Sequence, residues 1–261
     1  MRNILGAIHI HSNYSSDGKN SLIELKRFFM DENIHFICLS DHIEDLESAR
    51  YKRLIEECRI HSDDKFIIFP GVEIEGKCLL IIGIDNLEDF EKFKNNDFTN
   101  QKKYFTVLAH PHKLSRRKLG ELTRGNNKIF PEAIEVLNIK YDGRHLSSPA
   151  GIREFLRNKN RIKPIFGLDL HEIKDFVGML VSIKDPEFSY KGIISALKNG
   201  NYQIVAEGKE FHIPEIVPLA FYIRLYFFHT VNLFLSLVNR FVKKIGIKIP
   251  EKIKRKLKKA I

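Results

Sequence analysis

His9 and His11 stand two residues apart near the start of the chain, and Asp169 with His171 repeats that spacing far downstream. Between them come the adjacent pair Asp41 and His42, Glu73 in the stretch GVEIEG, and His110 and His112 in AHPH. Side chains two apart on an extended strand point to the same side, so each such pair can chelate one ion. Imidazole nitrogen and carboxylate oxygen are donors for Zn, Mn or Fe, and one carboxylate such as Glu73 can bridge two ions. A single His-x-His pair is as often a polar strand face and nothing more. Five clusters, each placed after an apolar stretch, read instead as a metal-binding constellation.

Those apolar stretches must supply the scaffold. ILGAIHI (4–10), FICLS (36–40), FIIFPGVEI (66–74), CLLIIGI (78–84), FTVLAH (105–110), AIEVLNI (133–139) and KPIFGLDL (163–170) are short, rich in Ile, Val, Leu and Phe, and bounded by polar residues. That is the pattern of buried strands. Segments between them carry helical signals. In 21–33, Leu22, Leu25, Phe28 and Phe29 recur at helical spacing behind a Ser21–Glu24 capping box. In 148–160, Ser148 is an N-cap with Pro149 at the first helical position. Strands alternating with helices predict an α/β protein with a mostly parallel sheet, either a barrel or open and doubly wound. In a parallel barrel the carboxyl ends of all strands converge on one face, and the histidines and acids above fall at those ends.

The ordered set HIHSNYSSDG (9–18), SDH (40–42), GVEIEG (71–76), AHPH (109–112), IEVLN (134–138) and GLDLH (167–171) resembles the polymerase and histidinol phosphatase (PHP) family of metal-dependent phosphoesterases. The resemblance runs from residue 8 to about residue 185. It implies a distorted, TIM-like (β/α)7 barrel, assigned to residues 1–212, with two or three divalent metal ions at its carboxyl end. It also implies the ligand sets. The first ion would be held by His9, His11, Glu73 and Asp169, the second by Glu73 and His110, the third by Asp17, His42 and His171. Family members often carry a histidine five residues before a strand glycine; this chain reads KCLLIIG there, so Cys78 takes that place. Cys78 reads equally as a thiolate ligand and as a small buried hydrophobe.

Ions so held would lower the pKa of a bound water and neutralise phosphate oxygens during in-line displacement. The expected activity is therefore phosphoester hydrolysis, on a phosphorylated small molecule or a nucleic-acid end. The alternative is a non-catalytic metal-binding scaffold, or a membrane-associated regulatory protein that keeps the fold. Asp41 is expected to relay a proton or to orient a ligand. His112, Arg116, Arg117 and Lys118 after the fifth strand, and Arg144 after the sixth, are candidate phosphate anchors. Glu135 and Asn138 read as structural, Cys38 as core, and Cys58 as part of a helix. His35, His61, His145, His212 and His229 lack motif context. No GxSxG, P-loop or GxGxxG stretch supports a serine hydrolase, a nucleoside triphosphatase or a dinucleotide-binding protein.

With 261 residues, 43% hydrophobic and 29% charged, the chain fits one large domain with an appendage and excludes wholesale disorder. Three cysteines behind no secretory leader predict a reducing, cytoplasmic setting. The formal net charge of +10 is unevenly placed: residues 240–261 hold ten Lys/Arg against Glu251 alone, so they carry +9 of it. The body is near neutral, and the global charge gives no argument for a basic groove on it. Before that basic end, residues 217–242 form an apolar run whose polar positions from His229 step by three and four. Arg224, His229 and Asn232 in mid-run argue against a membrane span. Residues 213–261 are thus expected to be a helical, basic appendage that lies at an anionic membrane surface through 217–259, peripheral to the inner membrane. The competing expectation is a helix packed on the barrel or on a second copy of the chain, as a homo-oligomer. Nucleic-acid binding by the tail ranks third.

Overall fold

The apolar runs become strands that pair into two sheets. The computed structural model describes residues 3–123, 129–138, 149–158, 160–184, 186–206 and 209–211. One sheet holds β1 (Asn3–Ile10), β2 (Phe36–Leu39), β4 (Ile67–Phe69), β10 (Met179–Lys184), β11 (Gln203–Ala206) and β12 (Lys209–Phe211), in the order β12-β11-β10-β1-β2-β4. The other holds β3 (Asp41–His42), β5 (Gly71–Ile74), β6 (Leu79–Ile82), β7 (Phe105–Leu108), β8 (Ala133–Asn138) and β9 (Lys163–Gly167), in the order β3-β5-β6-β7-β8-β9.

The expectation of a mostly parallel sheet is met only in part. β1–β2–β4, β3–β5 and β7–β8–β9 are parallel, but β6 runs antiparallel to both β5 and β7, and β10 runs antiparallel to β1 and β11. Only residues 75–78 separate β5 from β6, a link far too short for the crossover that parallel neighbours need. The stretch 66–74, read as one strand, divides at Pro70. Ile67–Phe69 joins the first sheet and Gly71–Ile74 the second, while the Pro70 carbonyl accepts from the Gly83 and Ile84 N–H groups. β10 and β11 were not foreseen.

Six α-helices lie among the described residues: α1 (Leu22–Asp31), α2 (Ser48–His61), α3 (Leu87–Lys94), α4 (Arg116–Thr123), α5 (Pro149–Asn158) and α6 (Tyr190–Asn199). The predicted capping box opens α1: Ser21 Oγ accepts from the Glu24 N–H at 3.4 Å, and Glu24 Oε2 accepts from the Ser21 N–H at 2.8 Å. Leu22, Leu25 and Phe29 of α1 are buried, each contributing about 1.5–3 kcal/mol by removal from water. Helix α5 begins at Pro149, as read; its expected cap Ser148 lies outside the described residues.

Strand alternation sorts the core into two apolar clusters. Ile4 and Ile8 of β1, Phe36 and Cys38 of β2, Leu80 and Ile82 of β6, Phe105 and Val107 of β7, Ile165 of β9 and Val181 of β10 meet in one, closed by Ile193 and Leu197 of α6. Ala7 of β1, Ile37 of β2 and Ile81 of β6, on the other face of those strands, pack together with Ile68 of β4 and Val72 of β5 and with Leu25, Phe29, Tyr51, Leu54 and Phe90 of the helices. The chain divides into two units, Met1–Glu215 and Ile216–Ile261, and the second lies wholly outside the described residues. Among the described residues no helix is long and apolar enough to cross a membrane.

Candidate metal centre

Ile8 belongs to the cluster shared by both sheets and Ile10 to the helix-side cluster, although an unbroken strand would put residues two apart on one face. The break is at His9. The β1–β2 register shifts between Ile8 and Ile10, and His9 has a left-handed backbone, φ 68°. This bulge re-aims the end of β1 so that His9 and His11 are both buried in the site. His110, after β7, and Asp169, after β9, are left-handed too, at φ 44° and 48°. Each such residue outside glycine costs on the order of 1 kcal/mol, and such strain concentrates at functional sites. The neighbouring backbone holds it: Leu170 N–H donates to His9 O at 3.1 Å, and His11 N–H to Leu170 O at 2.8 Å.

The candidate ligands assemble into two groups whose donor atoms lie within 4.8 Å of one another: His9, Glu73, His110 and Asp169, and His11, Asp17, His42 and His171. His9 Nε2 is 3.3 Å from Glu73 Oε2 and from Asp169 Oδ1, and His110 Nε2 is 3.3 Å from Glu73 Oε1. Asp169 Oδ1 is also 3.3 Å from His11 Nε2, and Glu73 Oε2 lies 3.5 Å from the same atom, so both carboxylates of the first group touch the second. In the second group Asp17 Oδ2 lies 2.6 Å from His171 Nε2 and 3.4 Å from His42 Nε2. Two ligands about 2.1 Å from one ion at a tetrahedral angle are roughly 3.4 Å apart, and the separations cluster around that value. His11 Nε2, Asp17 Oδ1 and His42 Nδ1 are buried without a hydrogen-bond partner among the described residues. Buried polar atoms are normally satisfied, and a cation facing these three would satisfy them. The donor chemistry and the geometry both fit divalent metal ions.

Without a metal the site is a mesh of opposed charges. Burial pulls the His9 imidazole down, but Glu135 and Asp169 outweigh it, and its pKa lies well above 6.5. His11 is raised as well: burial lowers it, and the nearby carboxylates of Asp169 and Glu73 prevail. Burial would raise Glu73 and Asp169, yet the surrounding imidazoles drive both far below the ordinary carboxylate range. A histidine raised on folding stabilises fully below its unfolded pKa and loses that contribution as pH climbs through the folded value. Metal-free protein is therefore expected to lose thermal stability from about pH 6.5 upward. Metal uptake requires deprotonated imidazole, so the rise in Tm on adding a divalent ion should grow over the same interval. Melting curves from pH 6 to 9, with chelator and with Zn or Mn, check both slopes.

The remaining candidates separate clearly. Asp41 is fully buried, with its oxygens taken by the N–H and Oγ of both Ser12 and Ser15, at 2.8–3.1 Å. It pins the turn after His11. His112 is brought to the edge of the site, its ring 6.1 Å from that of His110. Arg117 points elsewhere, bonding Glu121 one turn along α4 at 2.9 Å, and Lys118 Nζ donates to the Gly76 carbonyl at 2.5 Å. Arg144 and the side chains of Arg116 and Asn138 lie outside the described residues. Cys78 belongs to neither ligand group. Its thiol, pushed up to about 11 by burial and the Glu73 charge, contacts the Glu75 carbonyl at 3.7 Å. Glu135, read as structural, is the residue that the sequence reading missed. Its buried carboxylate accepts from His9 Nδ1 at 2.5 Å and from the His110 backbone N–H at 3.0 Å.

No family model matches this chain, and no curated protein matches it. Among solved structures it is similar to PsfC from Pseudomonas syringae PB-5123, at 16% identity and TM-score 0.52, over 75% of this chain and 89% of that one. It is also similar to the lesion-specific endonuclease PfuEndoQ from Pyrococcus furiosus, at 16% identity and TM-score 0.49, over 78% of this chain and 58% of that one. At this identity the likeness to PsfC shows a shared fold and nothing about activity.

Proposed function

We propose that this chain is a metal-dependent phosphoesterase of the PHP type, with a site formed by His9, His11, Asp17, His42, Glu73, His110, Asp169 and His171. The observation that carries the reading is the pair of adjoining His/carboxylate groups joined through Asp169. The barrel description belongs to the same proposal, supported by alternate side chains of both sheets sharing one cluster and by the bridge from Ile10 to Leu170. Divalent ions held there, Zn, Mn or Fe by donor type, supply Lewis-acid activation of water and neutralise charge on a transferring phosphoryl group.

The chain's own residues divide the remaining work. Glu73 and Asp169, both carboxylates kept ionised, balance the cationic charge from within the protein. Asp17 is 42% exposed and His42 and His171 are partly exposed, so substrate and water approach from the second group, while the first is sealed. In this reading His112, whose ring is 6.1 Å from that of His110, donates to a phosphate oxygen. The substrate class is a phosphomonoester or a nucleotide or oligonucleotide end. A panel of phosphomonoesters and short oligonucleotides with Mn, Zn and Fe tests this. Turnover that EDTA abolishes and added metal restores is the expected result. Bound metal without turnover on any class would leave a metal-binding scaffold instead.

The appendage reading for 213–261 is part of the proposal and rests on sequence alone: nine net charges in 240–261 directly after an apolar run with a narrow polar stripe. Full-length protein should float with anionic vesicles, and less so at high salt, because the basic contribution is screened. A version ending near Glu210 should stay in the soluble fraction and keep its activity. If neither floats and the shorter chain is inactive, the segment serves packing or self-association.

A further inference from the structure

We propose that Glu135 is the positioning residue of the metal centre, fixing the His9 ring and the His110 backbone with one carboxylate, and that position 167 is glycine to make room for it. The inference rests on the metal-binding reading above and concerns residues assigned no role there. An ionised carboxylate only accepts, so the 2.5 Å contact requires that His9 Nδ1 carry the proton and donate it to Glu135 Oε1. With the proton on Nδ1 held there, the neutral His9 ring presents its unshared pair on Nε2, the atom that lies 3.3 Å from Glu73 and Asp169. The other oxygen, Oε2, accepts the N–H of His110 at 3.0 Å, and so holds that residue in its left-handed conformation. His9 and His110 come from different strands and are both left-handed. Glu135 ties them together.

Gly167 supplies an independent observation. A Cβ built there would stand 1.8 Å from Glu135 Oε1 and 2.4 Å from its Cδ. Gly167 does not have a left-handed backbone, so alanine would be tolerated by the chain and opposed by the carboxylate. A glutamate end could normally swing aside, but this one can do so only by releasing His9 and His110. The glycine is needed for the cradle, two residues before the ligand Asp169.

Titration with Co(II), reading both affinity and the visible absorption bands, tests the proposal without reference to turnover. Glu135→Ala is expected to weaken Co(II) binding by about 10- to 100-fold, the usual effect of losing a group that orients a metal-binding histidine, and to shift the bands. Gly167→Ala should produce a similar loss, and Gly167→Ala with Glu135→Ala should be no weaker than Glu135→Ala alone, since nothing remains to displace. Glu135→Gln keeps the volume and covers the case in which the alanine variant does not fold. Its amide can accept from only one of the two N–H donors, so a loss of at least about tenfold is expected while circular dichroism shows the fold retained. Unchanged affinity and bands in Glu135→Gln, or fully additive losses in the double variant, would overturn the proposal while leaving the metal centre in place. Failure of the unaltered chain to bind Co(II) would overturn both readings.

Discussion

Asp169→Asn is expected to empty the whole centre: fewer than one divalent ion per chain, and kcat/KM lower by about a thousandfold or more. The substitution keeps the shape of the side chain and removes its charge. Asp169 Oδ1 lies 3.3 Å from both His9 Nε2 and His11 Nε2 and 3.7 Å from His171 Nδ1, and Oδ2 lies 3.8 Å from His110 Nε2, so four imidazoles of two groups share this acid. A neutral amide there leaves Glu73 as the one carboxylate of the sealed group. A metal contributes several kcal/mol of charge stabilisation to phosphoryl transfer, and about 4 kcal/mol is a thousandfold in rate. Elemental analysis of protein purified without chelator reads the first effect, and steady-state kinetics on whichever ester proves active reads the second. Circular dichroism separates loss of metal from loss of fold. Full metal content in Asp169→Asn would mean that the two groups do not share this carboxylate, and the joined site would have to be abandoned.

The residues that gather in the two His/carboxylate groups were legible because their types and spacing are rare in company, but strand alternation alone does not account for His9 and His11. A bulge at His9 places them, and a left-handed histidine leaves no mark in the sequence. The antiparallel course of β6 was in plain view, since so short a link cannot carry a crossover. Glu135 was also findable. A lone acid inside the apolar run AIEVLNI must be paired if that run is a buried strand, and the histidines already singled out were its natural partners. For Arg117 the sequence also offered a partner: Glu121 stands four residues on, the spacing of a helical ion pair, and the structure forms that pair. Short strands that complete a sheet, such as β11 and β12, carry too few residues for periodicity to register.

His42→Ala should behave differently from Asp169→Asn, and the contrast tests the division into two groups. The first group is sealed: the side chains of His9, Glu73, His110 and Asp169 are no more than 2% exposed. The second opens to solvent, with His42 at 18%, His171 at 14% and Asp17 at 42%. His42 contributes its ring to the open group, and Asp17 answers it with Oδ2 at 3.4 Å. Removing that ring takes one ligand from the exposed group and leaves the four buried ligands untouched. One ion per chain should therefore remain where the unaltered protein holds at least two, and brief dialysis against EDTA should strip the exposed ion before the buried one. Hydrolysis should fall by about a hundredfold or more, because substrate and water enter on this side and a lost ion withdraws several kcal/mol of stabilisation. His171→Ala is the less clean probe. That ring also donates from Nδ1 to the Asp169 carbonyl at 2.7 Å, so its removal loosens the left-handed turn on which the shared carboxylate stands. Equal metal content and equal turnover in His42→Ala and the unaltered chain would show that the exposed group holds no ion, and catalysis would then have to be assigned to the sealed group alone.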